Sequence, residues 1–269
     1  DVVFNATDPY IFCYACGVSK PYFQVYTWLG DQMVEVRIAD LLMGQQGQPY
    51  YEPNGQAVAL AEAGLWADAL AKIGEARQLA GDFDPPSAAG TLSWNEALIK
   101  LYHDANLAAI QESAYPLLNT VFYGDYNGAV DLMRGYSVAE IFSPDTPLIA
   151  GTPAEGWEDS LSNHIIDSAT AALSLKPELA SAYFLRGWAE FLANPADPQV
   201  RADLARAAEL APDDPLFAEA AQLQPGPAPT VQAGTPPIRI QFPPGGTAAR
   251  EGGVLLADSV QRYVLTALA

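Results

Sequence analysis

The sequence predicts an α+β protein with a central α-helical superhelix flanked by β-strand segments at both termini. Apolar and polar residues alternate with a period of two between Tyr22 and Ile38, as they do in strands. Apolar residues then recur at helical spacing through an Ala- and Leu-rich stretch. A Pro- and Gly-rich stretch and short apolar runs follow, which predicts further strands beyond a linker. We therefore divide the chain into a β-rich N-terminal segment, a helical domain, a Pro/Gly linker and a C-terminal β segment, at residues 1–44, 45–223, 224–237 and 238–269.

The N-terminal segment contains a predicted β-hairpin from Tyr22 to Ile38 with its turn at residues 29–32. One strand face carries Tyr22, Gln24, Tyr26 and Trp28, and the other carries Phe23, Val25 and Thr27. The runs VVF and YIFCY predict shorter strands before it. Because an isolated hairpin is only marginally stable, we expect more sheet or a helical surface against it.

The helical stretch contains intervals that recur along the chain. Gly64 and Ala69 are spaced like Gly124 and Ala129. The residues Ala172, Leu175 and Pro177 recur with the same spacing as Ala207, Leu210 and Pro212. Recurrence of this kind predicts helical hairpins that stack on one another, since one pair cannot bury its apolar face alone.

These residues resemble tetratricopeptide repeats, a family of helix–turn–helix units. Gly187 stands at the family's first-helix glycine, Ala207 at its second-helix small residue and Pro212 at its terminal proline. The resemblance is closest over 156–223 and weaker over 55–85 and 92–142, and Glu190 occupies a position where an aromatic is usual. It implies a short, irregular TPR-like superhelix with a concave groove for a peptide or protein. The family's clamp for acidic C-termini needs Lys, Arg and Asn, which are few here, so a basic or apolar ligand is expected.

The closing residues, 238–269, resemble the opening of a pre-peptidase C-terminal type β-domain. The residues that carry this resemblance are Ile238, Phe242, Gly245, Gly252, Gly253, Arg262, Tyr263, Leu265 and Ala267. It implies half a sandwich, whose unpaired sheet edge has to be filled. Strands from the same N-terminus, strands from a neighbouring chain, or further residues beyond Ala269 would each fill it.

Strand completion by a neighbour predicts a function. We expect a non-enzymatic extracellular structural protein that self-assembles head-to-tail into a fibre by inter-subunit β-strand completion. The expected assembly strands contain Tyr22, Val25, Tyr26, Trp28, Ile238, Ile240, Phe242, Tyr263, Val264 and Leu265. The alternative is a secreted or periplasmic TPR-type adaptor that binds a peptide or protein partner.

Composition limits the partners further. The chain has 13 Lys and Arg against 32 Asp and Glu, a net charge of −19, so a nucleic acid partner is not expected. No apolar run approaches the length of about 18 residues that a membrane span needs. The two cysteines and the sequon Asn5–Thr7 favour an extracellular or cell-surface location, with glycosylation at Asn5 and glycans as a further partner.

No catalytic, cofactor or metal site is predicted. His103 and His164 lie in separate helical stretches without ligand-spaced partners, and the neighbouring residues His103 and Asp104 are not expected to share a helix face. Cys13 and Cys16 are interpreted as a local disulfide, in preference to a redox or zinc motif. Four acidic residues beside prolines are interpreted as solvated turns or helix caps in preference to calcium ligands; they are Asp82, Asp84, Asp213 and Asp214.

Overall fold

The computed structural model describes residues 2–7, 21–41, 43–81 and 86–223, all within one compact unit, Asp1–Pro225. The described part is mostly helical, with a small antiparallel sheet near the N-terminus, as the sequence predicts. Its strands are β1 Val2–Thr7, β2 Pro21–Leu29 and β3 Gln32–Val36. A 3-10 turn at Met43–Gln45 leads to α1 Tyr51–Glu62, α2 Trp66–Ala80, α3 Pro86–Glu112, α4 Pro116–Phe122, α5 Tyr126–Met133, α6 Val138–Ile141, α7 Glu158–Leu175, α8 Ala180–Ala193, α9 Pro198–Leu210 and α10 Pro215–Ala220.

The sheet has the order β1-β2-β3, and both pairings are antiparallel. The predicted hairpin is confirmed, because β2 and β3 are joined at Gly30 and Asp31 with Trp28 opposite Met33. Gly30 has a positive φ of 66°, which a two-residue hairpin turn favours and which glycine adopts without steric cost.

Tyr102 of α3 connects the sheet to the helices. The ring of Tyr102 meets Phe23 edge-on with centroids 5.1 Å apart, and it stacks on Trp66 at 4.8 Å. Its hydroxyl accepts from the Phe23 amide at 3.3 Å and donates to the Phe23 carbonyl at 3.4 Å. Val25, on the same strand face as Phe23, is 3% exposed. The hairpin therefore has the helical surface that its length requires.

Asn95 of α3 ties the chain leaving β3 to two helices. Its Oδ1 accepts from the Ala39 amide at 3.0 Å, and its Nδ2 donates to the Ala39 carbonyl and to Asn54 Oδ1, both at 2.7 Å. Asn54 and Asn95 are completely buried. Asn95 uses both its amide oxygen and its amide nitrogen, whereas Asn54 Nδ2 has no partner among the described residues. A satisfied buried amide such as that of Asn95 stabilises a unique arrangement of strand and helices.

Consecutive helices pack as antiparallel pairs, most extensively α1 with α2, α7 with α8 and α8 with α9. At the α8–α9 contact a Cβ added to Gly187 would lie 3.2 Å from Leu204 and 3.3 Å from the Val200 carbonyl. Ala207 is fully buried, and Pro212 follows the end of α9. The predicted helical hairpin is confirmed here, and small residues explain how closely its helices approach.

The interval shared by Gly64 and Gly124 marks two turns of the same geometry. Both glycines have positive φ, 78° and 72°, and join α1 to α2 and α4 to α5. In each turn the amide of the residue after the glycine donates to the carbonyl oxygen five residues earlier. These bonds join Leu65 to Leu60 and Asp125 to Thr120, both at 2.9 Å. The two turns touch, since a Cβ on Gly124 would lie 2.6 Å from the Gly64 carbonyl oxygen. In the sequence, α3 lies between the two turns, and it is longer than any helix of a regular repeat.

None of the helices in the described ranges is both long and apolar enough to cross a membrane. Several predictions fall on other parts of the chain. The strand YIFCY, the Cys13–Cys16 bridge, Asp82 and Asp84, the Pro/Gly linker and the C-terminal strands with Ile238, Ile240, Phe242, Tyr263, Val264 and Leu265 lie outside the described residues.

Candidate ligand-binding site

Three helical-hairpin turns meet around a pocket of about 300 Å³. Two are the touching turns at Gly64 and Gly124, and the third is the α7–α8 turn between Lys176 and Leu179. The second half of α3 forms the remaining wall. Because α2 and α5 begin here, residues of their first turns line the cavity, and the third turn contributes Lys176 and Leu179.

Two carboxylates and one ammonium group line this pocket. Lys176 Nζ lies 2.9 Å from both oxygens of Asp68, an ion pair that is partly exposed. Asp125 caps α5, and its Oδ1 accepts from the Gly128 amide at 2.9 Å. The carboxylate of Asp68 is thus neutralised within the chain, whereas that of Asp125 is paired with a backbone amide. The local charge is therefore negative.

Two residues of the lining have a buried polar atom without a hydrogen-bond partner among the residues that the structure describes, Tyr126 at its hydroxyl and Asn106 at its Oδ1. Asn106 lies on α3 and is 5% exposed. By contrast, the Oδ1 of Asn127 accepts from Ser181 Oγ at 2.7 Å. A buried acceptor without a donor costs about 1–3 kcal/mol, and such a group in a native protein calls for a partner.

Aromatic and apolar side chains complete the lining. Trp66 is held in place by its stack on Tyr102, and Leu107 presents a side chain that is 45% exposed. Burial raises the pKa of Tyr123 and of Tyr126 to about 12, so both rings carry neutral hydroxyls near pH 7. The pocket combines ring faces and leucines with a few polar groups, which is the usual composition of a small-ligand site.

A second groove, of about 460 Å³, lies against α1, α2 and the end of α7. Small and apolar residues such as Ala59, Ala71 and Leu175 line much of it. Asp68 and Lys176 line both cavities. Their ion pair therefore separates the pocket from the groove.

The predicted residues fall at different places in the structure. Val25 is buried in the chain's own packing, Tyr26 is partly buried and Trp28 is 62% exposed. Asn5 lies in β1 opposite Phe23, and the position of the Tyr22 side chain lies outside the described structure. In the described ranges, no three His, Cys, Asp or Glu residues are grouped as a metal site would require.

The acidic turn at Asp213 and Asp214 behaves as a cap, as predicted. Asp214 Oδ1 accepts from the Leu216 amide at 3.0 Å at the start of α10. The same carboxylate takes two hydrogen bonds from Arg134, at 2.9 and 2.5 Å. The Arg134 guanidinium lowers the pKa of Asp214, so this pair holds α10 against the end of α5.

One expectation about histidine is wrong. His103 Nδ1 lies 3.0 Å from Asp104 Oδ1, although neighbouring helical residues were not expected to meet. Both side chains are long enough to bend toward each other along the helix surface. His103 also lines the pocket.

The sequence did not reveal the pocket itself. The repeated Gly64 and Gly124 intervals were visible, but their convergence depends on contacts between turns far apart in the chain. Asn106 and Lys176 carry no motif that distinguishes them from surface residues. The glycine intervals were the one signal that could have indicated a shared site.

No protein-family model, curated protein or solved structure matches this chain. The packed helix pairs are compatible with a TPR-like helical fold. The site is therefore interpreted from its own residues.

Proposed function

We propose that this chain is a non-enzymatic binding protein, an adaptor whose ligand occupies the pocket between the turns at Gly64, Gly124 and Lys176. One observation carries the proposal: Asn106 is buried at this pocket and its Oδ1 lacks a hydrogen-bond donor within the described chain. This oxygen is almost fully shielded in the present arrangement, so a ligand reaches it once the amide turns toward the cavity, and a donor on the ligand then removes the cost of leaving it unsatisfied.

The surroundings of the pocket favour binding because they are held in place before a ligand arrives. The Gly64 and Gly124 turns are in van der Waals contact, and Trp66 is fixed by Tyr102. A preorganised site loses less conformational entropy on binding. A volume of about 300 Å³ is at the small end for ligand pockets, so it suits one side chain of a partner or one small molecule.

The experiment compares the binding of a panel of probes by the wild type with binding by a variant whose pocket is filled by a larger side chain. Hexylamine, hexanoate and hexanol are titrated into the whole chain by two-dimensional NMR. A Leu107→Trp variant places an indole in the pocket mouth, and Leu79→Trp makes the same change at an exposed leucine outside the pocket. We expect at least one probe to bind the wild type and the Leu79→Trp variant but not the Leu107→Trp variant. Binding that is unaffected by Leu107→Trp, or no binding at all, contradicts the proposal.

A second candidate function is the fibre formed by β-strand completion, in an extracellular or cell-surface setting. The observation that favours it is the exposed tip of the β2–β3 hairpin. Trp28, Leu29 and Met33 are 62%, 64% and 42% exposed, and β3 pairs on one side only among the described strands. Large apolar side chains beside an unpaired strand edge favour pairing with a further strand.

The fibre is tested by electron microscopy and light scattering of the whole chain. Trp28→Glu places a charge at the exposed hairpin tip, and Trp157→Glu makes the same change at another exposed tryptophan far along the chain. The fibre proposal requires filaments from the wild type and from Trp157→Glu, and none from Trp28→Glu. A wild type that stays monomeric at high concentration contradicts it and leaves the binding proposal unaffected.

A further inference from the structure

We propose that the pocket recognises an organic cation: a primary ammonium or guanidinium group carried on an apolar stem. This inference rests on the proposed function and names its ligand class. It follows from the charges, the unsatisfied acceptor and the rings that meet in the pocket.

The charged groups favour a cation. Asp68 and Asp125 contribute two carboxylates, and the one ammonium of the lining, Lys176, already bonds to both oxygens of Asp68. His103 bonds through Nδ1 to Asp104, which lies outside the lining and is already paired with Lys100, so it adds no further charge to the pocket. Attraction to a cation therefore comes from Asp125 in particular, and the chain's net charge of −19 adds to it over a longer range.

The hydrogen-bonding capacity also fits a cation. Asn106 Oδ1 needs a donor, and an ammonium or guanidinium group is a donor without acceptors. The stem of such a ligand would pack on Leu107 and Ile110, which line the same wall. Trp66, Tyr123 and Tyr126 belong to the same lining, and an aromatic ring attracts a positive charge that lies over its face.

The other ligand classes fit less well. An anion would have to take Lys176 away from Asp68, leaving that carboxylate without its partner. An uncharged apolar ligand would cover Asp125 without donating to its carboxylate. Each of these costs is absent when the ligand is a cation.

The same chemistry has two sources: a Lys or Arg side chain of a partner peptide, or a free alkylamine. The pocket volume accommodates one such group. The Asp68–Lys176 pair beside it opens onto the apolar groove along α1 and α2, which would take residues next to the basic one. The experiment therefore includes both sources.

The affinity of the whole chain is measured by NMR titration for five probes. These are hexylamine, hexanol, hexanoate, acetyl-Leu-Arg-Leu-amide and acetyl-Leu-norleucine-Leu-amide. We expect hexylamine to bind at least tenfold more tightly than hexanol or hexanoate, or the Arg peptide to do so relative to the norleucine peptide. A preference confined to the peptides identifies a partner protein as the source, and one confined to hexylamine identifies a free amine.

Two variants test the residues. Asp125→Asn removes the charge but keeps a good helix cap, and Asn106→Leu removes the acceptor at similar volume. Each is expected to weaken binding of the cation about tenfold or more. Asp131→Asn, an exposed acidic residue of α5 outside the pocket, makes the same change in net charge and should leave affinity unchanged. Thermal unfolding of each variant confirms that it is folded.

The outcomes separate this inference from the proposed function. Tighter binding of hexanol or hexanoate, abolished by Leu107→Trp, overturns the cation class and keeps the pocket as the site. Cation binding that is equally weakened by Asp131→Asn and Asp125→Asn overturns the inference as well, because it indicates nonspecific attraction to an acidic chain. Absence of binding by every probe contradicts both proposals.

Discussion

The two halves of α3 use the same residue type in opposite ways. Asn95, in the first half, makes three hydrogen bonds, two to Ala39 and one to Asn54. Asn106, about three helical turns further on, is nearly as buried, yet its Oδ1 has no donor within the described structure. The comparison teaches that burial of an amide does not reveal its role. The first asparagine organises the fold, and the second is the group around which we propose binding.

The largest expected effect separates these two asparagines directly. Asn95→Leu leaves Ala39 and Asn54 without their partners and should lower the free energy of unfolding by about 2–3 kcal/mol. Asn106→Leu removes an unsatisfied acceptor, so we expect unchanged or slightly higher stability. Urea unfolding of both variants measures the difference. Equal losses would show that Asn106 stabilises the fold as Asn95 does, and would remove the main support for the binding site.

The second-largest expected effect tests the contact between the Gly64 and Gly124 turns beside the pocket. Gly124→Ala pushes a Cβ against the Gly64 carbonyl at a positive φ, and should cost about 2 kcal/mol. Gly64→Ala has a similar φ of 78° but open space around its Cβ, and should cost only about 1 kcal/mol. The difference between the two isolates the contact between the turns. Equal costs would mean that the turns do not brace each other.

Much of the helical and strand pattern could be predicted, because it depends on local sequence. The hairpin at Tyr22–Ile38 follows from alternation, and the close α8–α9 contact follows from Gly187. The different hydrogen bonding of Asn95 and Asn106 could not be predicted, because both lie in one helical stretch and the residues around them come from distant segments. The convergence of three turns at one pocket is equally non-local. Sequence periodicity identifies buried faces, but it does not show which polar groups on them find partners.

Glu190 extends the comparison to an acidic residue. Its Oε2 also lacks a partner within the described residues, and it stands where the tetratricopeptide pattern has an aromatic. Burial, together with repulsion from Asp203, raises the pKa of Glu190 from 4.5 to about 7, against the attraction of Arg186. An acidic side chain can respond to an unsatisfied environment by keeping its proton, which an amide cannot do.

This shift predicts a pH dependence with a definite sign. Between about pH 4.5 and 7 the folded chain holds a proton on Glu190 that the unfolded chain has lost, so stability falls as pH rises and levels off above pH 7. Glu190→Gln should therefore gain stability relative to the wild type as the pH rises from 4.5 to 8, and be close to it at pH 4.5. Thermal unfolding at both pH values measures the effect, with the exposed Glu209→Gln as control. A difference independent of pH would exclude titration of Glu190 as its cause.

The smallest expected effect concerns the attachment of the sheet to α3 by Tyr102, in the second half of the helix. Tyr102→Phe removes two hydrogen bonds to Phe23, which at 3.3 and 3.4 Å are long, but keeps the ring between Phe23 and Trp66. We expect a loss of only about 0.5–1 kcal/mol, together with faster hydrogen exchange at the Phe23 amide. Hydrogen exchange measured by NMR distinguishes the contribution of the hydrogen bonds from that of ring packing. Tyr136→Phe, at the surface, is the control. A loss of several kcal/mol would show that hydrogen bonds, and not ring packing, attach the sheet, and that both halves of α3 depend on satisfied polar contacts.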